Sequence, residues 1–133
     1  MNTNLTPELR IKRQIIKDIK NPEGKPLDDA SQVEYAWDFY RDGIAHGDYL
    51  VEARDEFRYS GEKTGIPGRE CSRHYESDEV ARKLDDGTWV AWTYWHGGGK
   101  YGEPSSIDWM EYAYEINVTE EEKMVVVRTF TKA

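Results

Sequence analysis

Two segments near the start of the chain place apolar residues at helical spacing, and the first lies between residues 6 and 20. Thr6 followed by Pro7 is typical of an N-cap with proline at the first helical position. The apolar stripe that follows is formed by Ile11, Ile15, Ile16 and Ile19. The pattern predicts a first helix from Pro7 to about Lys20.

The second segment predicts a helix that begins near Ser31 and stops at Gly47. Ser31 and Glu34 have the spacing of a capping box, in which each side chain bonds the backbone N–H of the other residue. Gly47 fits the role of a C-terminal stop. One face of this helix is apolar and consists of Val33, Ala36, Trp37, Tyr40 and Ile44.

Between residues 49 and 59 the hydrophobic period changes to two, which predicts a strand with one solvated face. Asp55 is the exception to this alternation. A helix that buries Leu50, Ala53 and Phe57 is the competing interpretation of the same residues. The alternating positions are Tyr49, Val51, Ala53, Phe57 and Tyr59.

Shorter elements are predicted between residues 61 and 84. The glycine-containing segment 61–68 predicts a loop, and the alternation of Cys71, Arg73 and Tyr75 predicts a second short strand. Ser77 is a candidate cap for a short helix that extends to Leu84, since acidic residues follow it in the first turn.

The remaining pattern predicts the rest of a sheet. An Asp86-Gly87 turn signal precedes a strand over residues 88–96, and aromatic residues on both of its faces indicate a central position. The alternating segments 112–118 and 124–130, joined by a polar turn, predict a closing hairpin. The predicted fold is α+β, with two N-terminal helices packed on a curved antiparallel sheet of about five strands.

The length of 133 residues and a hydrophobic content of 38% are those of a single domain over residues 1–133. The one cysteine, Cys71, excludes an intramolecular disulfide framework and fits a reducing compartment. No apolar stretch approaches the length of a membrane span, which takes about 18 residues. We therefore expect a cytoplasmic protein without a membrane partner.

The chain has a net charge of -8, from 18 basic and 26 acidic side chains. Residues 1–27 hold six basic against three acidic side chains, whereas residues 28–133 hold 12 against 23. A surface of this sign disfavours direct binding to nucleic acid and favours a basic partner. The basic first helix either pairs with the acidic body, offers a local contact, or remains a solvated helix of mixed charge.

Three motifs suggest chemistry without completing it. The sequence HGGG at residues 96–99 resembles the oxyanion-hole element of lipases and esterases, but no G-x-S-x-G nucleophile elbow occurs. Lys100 after the glycines suggests a phosphate loop, but the spacing of the nucleotide-binding pattern is missing. Cys71 and His74 suggest a metal pair, but an alternating strand directs them to opposite faces. No catalytic residue, metal or cofactor is therefore predicted.

Two sets of residues are candidates for contact with a partner. The carboxylates of Glu34, Asp38 and Asp42 stand one helical turn apart, with Cβ atoms about 5 to 6 Å apart, close to phosphate spacing along a nucleic-acid strand. The second set lies around the glycine-rich segment, and two of its four Tyr and Trp rings are expected to be exposed. It consists of Tyr94, Trp95, His96, Lys100, Tyr101 and Trp109.

The run DGTWVAWTYWHGGGKYGEP, followed by IDWMEYAY, resembles segments of short acidic proteins encoded by tailed phages and prophages. Such proteins include inhibitors of bacterial immunity, anti-CRISPR proteins and DNA mimics. The resemblance implies a host-takeover factor or an inhibitor of bacterial immunity. Together with the acidic charge of residues 28–133 and the absence of a catalytic constellation in the sequence, it predicts a non-enzymatic protein that docks on a nucleic-acid-handling host protein, such as a CRISPR or other defence complex, and inhibits it. It assigns no role to an individual residue.

A small-ligand binding or sequestering protein is the alternative interpretation. Trp95, Tyr101 and Trp109 would stack on the ring of a nucleotide-type ligand. The backbone amides of residues 97–99, together with Lys100, would hold its phosphate.

Overall fold

The structure, a computed structural model, describes residues 5–43, 47–67, 76–96, 109–120 and 128–132. The elements are α1 (Pro7–Asp18), α2 (Ala30–Asp42), α3 (Gly47–Tyr59), β1 (Glu62–Lys63), β2 (Glu76–Lys83), β3 (Trp89–His96) and β4 (Tyr114–Glu115). The strands form one antiparallel sheet in the order β1-β2-β3-β4. The α+β class is confirmed, but the described residues form three helices rather than two and four strands rather than about five.

The first helix begins as predicted. The Thr6 hydroxyl accepts a hydrogen bond from the Leu9 N–H at 3.2 Å, and Pro7 stands in the first helical turn. α1 ends at Asp18, two residues before the predicted end, because Lys20 takes a left-handed backbone conformation with φ of 68°.

The second helix has a different cap from the predicted one. Asp29 is its N-cap: the Asp29 carboxylate accepts from the Gln32 N–H at 2.9 Å, and the Gln32 side chain accepts from the Asp29 N–H at 3.2 Å. The predicted box of Ser31 and Glu34 is therefore wrong, because an equivalent pair lies two residues upstream. α2 also ends before Gly47, since Gly43 already has an extended backbone.

Residues 47–59 form a helix, so the predicted strand is wrong and the competing interpretation is confirmed. Leu50, Ala53 and Phe57 are buried on one side of α3, whereas Tyr49 and Val51 are exposed. α3 packs against both α1 and α2. As a helix, this segment buries residues spaced three and four apart against α1 and α2. This burial stabilises the helix more than the alternating pattern could stabilise a strand.

A hairpin of β2 and β3 forms the centre of the sheet. Val80 lies opposite Trp92 in its register, and Gly87 takes a φ of 88° in the turn that Asp86-Gly87 predicts. The predicted short helix from Ser77 is wrong, because these residues pair along their whole length with β3. The prediction that β3 is a central strand is confirmed.

The edges of the sheet are short. β1 lies within residues 61–68, which the sequence predicts as a loop, and the predicted strand through Cys71, Arg73 and Tyr75 lies outside the described residues. Of the predicted hairpin, Tyr114–Glu115 pairs with β3. Its return segment lies in part outside the described residues, and Phe130, which is described, is exposed and belongs to no strand.

The core lies between the three helices and one face of the β2–β3 hairpin. Val80, Val90 and Trp92 supply the sheet side, and Phe57 lies 5.0 Å from Trp92 between ring centroids. The residues of α1 and α2 that complete this core are Ile11, Ile15, Ile16, Ala36, Trp37 and Tyr40. The described residues of the predicted helical stripes therefore meet in one cluster, with Ile19 packed at its edge, except for Val33, which belongs to a smaller cluster with Leu5 and Leu9. Ile44, which the sequence predicts on the apolar face of the second helix, lies outside the described residues.

Candidate functional site

The outer face of α2 carries two parallel rows of exposed side chains. Glu34, Asp38 and Asp42 form the acidic row that the sequence predicts. Tyr35 and Phe39 form a second row beside it, with 61% and 36% of their surface exposed and ring centroids 6.4 Å apart. Both rows follow from helical geometry, since residues four apart stand above one another on a helix surface.

Arg41 interrupts the acidic row. Its guanidinium lies 3.2 Å from the Asp38 carboxylate and 3.1 Å from that of Asp42. The hydrogen bond from Arg41 lowers the pKa of Asp42 below its ordinary value, and the same bond raises the pKa of Arg41. Among the described residues, Glu34 has no cation at ion-pair distance, so it carries the uncompensated charge of the row.

The aromatic row already holds a cation. The Lys25 ammonium lies 4.0 Å from the centroid of Phe39 and 5.3 Å from that of Tyr35, which is within cation–π range. Tyr35 and Phe39 are not among the contact residues predicted from the sequence. Their signal is nevertheless present, because two aromatic residues four apart lie outside the apolar face of a helix that buries Val33 and Trp37.

Tyr94 and His96 meet at the far end of the β2–β3 hairpin. Their rings stack with centroids 5.4 Å apart, and His96 Nε2 lies 3.0 Å from Asp78 Oδ2. Trp95 lies between them in sequence and so on the opposite face of the sheet. The structure therefore joins two of the predicted contact residues and separates the third, and all three are only partly exposed.

Trp109 is not one of the exposed rings among the four predicted candidates, of which two are expected to be exposed. Its exposed fraction is 3%, and its ring packs against Phe57 and Trp92 at centroid distances of 6.0 and 5.6 Å. A large ring beside two others gains more from burial than from solvent contact. Lys100 and Tyr101 lie outside the described residues, so their predicted role stays a prediction.

Basic residues of α1 pair with the acidic body. Arg10 lies 3.2 Å from Glu115, and Arg13 lies 2.6 Å from Asp86. Of the three expectations for the basic first helix, pairing with the body is the one realised at these two positions. Arg10 and Arg13 are therefore used in ion pairs within the molecule. The net negative charge comes from the acidic groups of the remaining surface.

Within the described ranges, no group of three metal-ligating side chains occurs, and no helix is long and apolar enough to cross a membrane. Comparison of the chain with protein-family models, with curated proteins and with solved structures gave no match. The surface of the molecule itself is therefore the basis for inferring its function.

Proposed function

We propose that this protein is a non-enzymatic binding protein that docks on a basic, nucleic-acid-handling protein through the outer face of α2. One observation carries the proposal: a row of carboxylates runs beside two exposed rings that already hold an ammonium group. Such a face offers charge to Lys and Arg side chains and a flat surface on which they stack.

The two rows have different energetic roles in this proposal. Exposed carboxylates accelerate encounter with a basic surface, an effect that salt screens. Tyr35 and Phe39 bury apolar area once contact is made and so slow dissociation. Lys25 is displaced from the rings by a cation of the partner, while Arg41 remains with Asp38 and Asp42.

The class of the partner follows from the resemblance to short acidic phage and prophage proteins. The proposed target is a CRISPR or other defence complex of the host, in the host cytoplasm. Glu34, Asp38 and Asp42 then occupy positions that phosphates of a nucleic-acid strand take in the uninhibited complex, so binding of the two is mutually exclusive.

The test begins with a pull-down from host lysate that is eluted across a salt gradient, and the recovered partner is used for binding kinetics. The triple variant Glu34→Lys, Asp38→Lys and Asp42→Lys should reduce the association rate at low salt by about 10-fold or more and flatten its salt dependence. The matched control reverses three exposed carboxylates elsewhere, Glu52→Lys, Glu56→Lys and Glu62→Lys.

Two outcomes contradict the proposal. Equal rates for the triple variant and its control would mean that net charge, and not the face of α2, governs encounter. Simultaneous binding of this protein and a nucleic acid to the recovered partner would overturn mimicry.

The double variant Tyr35→Ala and Phe39→Ala should raise the dissociation rate with little change in the association rate.

The small-ligand alternative depends on residues 97–101, which lie outside the described part of the chain, and on Trp109, which is buried in the core. Trp109 is therefore not available to stack on a ligand. The participation of Tyr101, Lys100 and the glycine amides stays a prediction.

A further inference from the structure

Arg58, at the end of α3, is a buried cation without an acidic partner among the described residues. Its exposed fraction is 2%. The guanidinium donates to the Trp95 backbone carbonyl through Nη2, and its Nε has no hydrogen-bond partner. A guanidinium has five N–H donors, and burial of a charge is costly unless it is paired. The side chain is therefore incompletely satisfied.

The neighbouring carboxylate does not supply the missing partner. The Asp78 carboxylate lies 3.0 Å from His96 Nε2 and 3.8 Å from the Lys63 ammonium. The contacts of the Arg58 guanidinium are instead aromatic, at 4.6 Å from the Tyr94 centroid and 5.2 Å from that of Tyr59. Ring faces attract a cation but accept none of its N–H bonds in the plane of the guanidinium.

A pocket of about 140 Å³ lies directly beside this group. Its lining residues are Arg58, Tyr59, Gly61, Lys63, Asp78, Val80 and Tyr94. Since a water molecule takes about 30 Å³ of liquid, there is room for an anion of four or five non-hydrogen atoms. Tyr59 and Lys63 are exposed, so the pocket opens to solvent between these two side chains.

We propose that this pocket binds a small oxyanion, a carboxylate or a phosphate group, that pairs with the Arg58 guanidinium, whose Nε–H has no partner. The planar donor fork of arginine suits both groups, and charge-assisted bonds of this kind are the stronger hydrogen bonds of proteins. Lys63, 3.8 Å from the Asp78 carboxylate, offsets the negative charge of that lining residue, and Val80 and Gly61 supply an apolar wall against the stem of the ligand. The site is separate from the α2 face and does not depend on the docking proposal.

The experiment is thermal unfolding of the full chain at constant ionic strength, in which sodium chloride is replaced stepwise by sodium phosphate or sodium acetate. At least one of the two anions should raise the melting temperature along a saturable curve. Whether the melting temperature responds to phosphate, to acetate or to both shows which oxyanion the pocket binds. Arg58→Gln should weaken the apparent affinity by about 10- to 100-fold, the effect of losing charged hydrogen bonds.

Arg82→Gln is the matched control. The Arg82 guanidinium likewise lies over a ring, 4.7 Å from the Phe57 centroid, and donates to a neutral acceptor, Ser60 Oγ, at 3.2 Å. It does not line the Arg58 pocket, so its removal should leave the anion response unchanged. Equal weakening in both variants, or no saturable response to either anion in the wild-type chain, would overturn the proposal.

A direct measurement keeps the test decisive even where Arg58→Gln fails to fold. In the wild-type chain, the ¹H–¹⁵N resonance of Arg58 Nε should move with the same midpoint as the thermal response. A resonance that stays in place through the titration contradicts the proposal. A failure here leaves the α2 docking proposal untouched, because that test uses a basic macromolecule and not an anion.

Discussion

At the scale of single residues, polar contacts fix how α1 lies against the central hairpin. Gln14 is buried and bonds twice to Asp85: its Nε2 donates to Asp85 Oδ2 at 2.9 Å and its Oε1 accepts from the Asp85 N–H at 3.0 Å. Next to it, Arg13 reaches Asp86, whose other carboxylate oxygen accepts from the Thr88 N–H and hydroxyl. A helix and a turn more than 70 residues apart are thereby joined.

The charge of Asp86 has a predictable effect on stability. Partial burial raises the pKa of Asp86, but the hydrogen bonds from Thr88 and the charges of Arg13 and Arg10 outweigh it, so the pKa lies below its ordinary value of 3.8. The folded state therefore favours the carboxylate. Ionised Asp86 contributes its full stabilisation of the folded state when the pH is above 3.8, the ordinary pKa. This contribution is lost as the pH falls through the lowered pKa of the folded state.

Asp86→Asn should consequently reduce the free energy of unfolding by about 1 kcal/mol near neutral pH. The difference from the wild type should shrink when the pH falls below the ordinary carboxylate range, because wild-type Asp86 then becomes protonated as well. Urea unfolding at both pH values measures this. Asp28→Asn, at an exposed position, is the control for the change in net charge. A difference that is the same at both pH values would contradict the assignment.

At the scale of elements, local signals fix most helix starts, while contacts between strands fix the sheet. Glu79 illustrates the second case, since its buried carboxylate accepts from the Thr93 hydroxyl of β3 at 2.8 Å and from the Tyr114 hydroxyl of β4 at 2.6 Å. One side chain of β2 thereby ties three strands together. The short β4 remains attached through this bond in addition to its backbone pairing.

The cap of α2 provides a prediction at this scale. Asp29→Ala removes the side-chain acceptor for the Gln32 N–H and should reduce the free energy of unfolding by about 1 kcal/mol. Ser31→Ala should change it by less than about 0.5 kcal/mol, because Ser31 is an exposed residue inside the helix. Denaturant titration of both variants decides between the two caps, and a larger effect at Ser31 would contradict the observed start of the helix.

At the scale of the whole molecule, aromatic packing joins the helices to the sheet. Phe57 of α3, Trp92 of β3 and Trp109 in the segment before β4 lie within 6.0 Å of one another between ring centroids. Removing one of these rings should loosen the packing of both the helices and the sheet. The loss of a buried tryptophan costs about 3 to 5 kcal/mol, against a total stability of about 5 to 15 kcal/mol for ordinary domains.

Trp109→Ala should therefore lower the denaturant midpoint strongly or unfold the chain, whereas Trp95→Ala should have a much smaller effect. The comparison is matched in residue type, and the two positions differ in burial. Near-ultraviolet circular dichroism during denaturant unfolding records the loss of packing directly. Equal destabilisation at the two positions would contradict the core assignment of Trp109.

The contact surface could be predicted only in part from the sequence. Glu34, Asp38 and Asp42 share a face because helical spacing alone puts them there, and no other part of the fold is needed. The pairs of Arg41 with Asp38 and Asp42 are local as well, since the three residues lie within α2. That Lys25 covers the neighbouring rings, and that Arg58 lacks an acidic partner among the described residues, depend on contacts between segments. Sequence spacing contains no information about such neighbours.

By itself, the sequence determined α1, the buried stripe of α2 and the strand β3 with the turn before it. Each of these has a local cause: the Thr6-Pro7 cap, apolar residues at a period of 3.6, and a glycine that tolerates positive φ at position 87. Only the tertiary structure decided that residues 47–59 are a helix and that residues 76–83 are a strand. Their patterns fit either element, and the choice depends on which buried partner surface the rest of the chain provides.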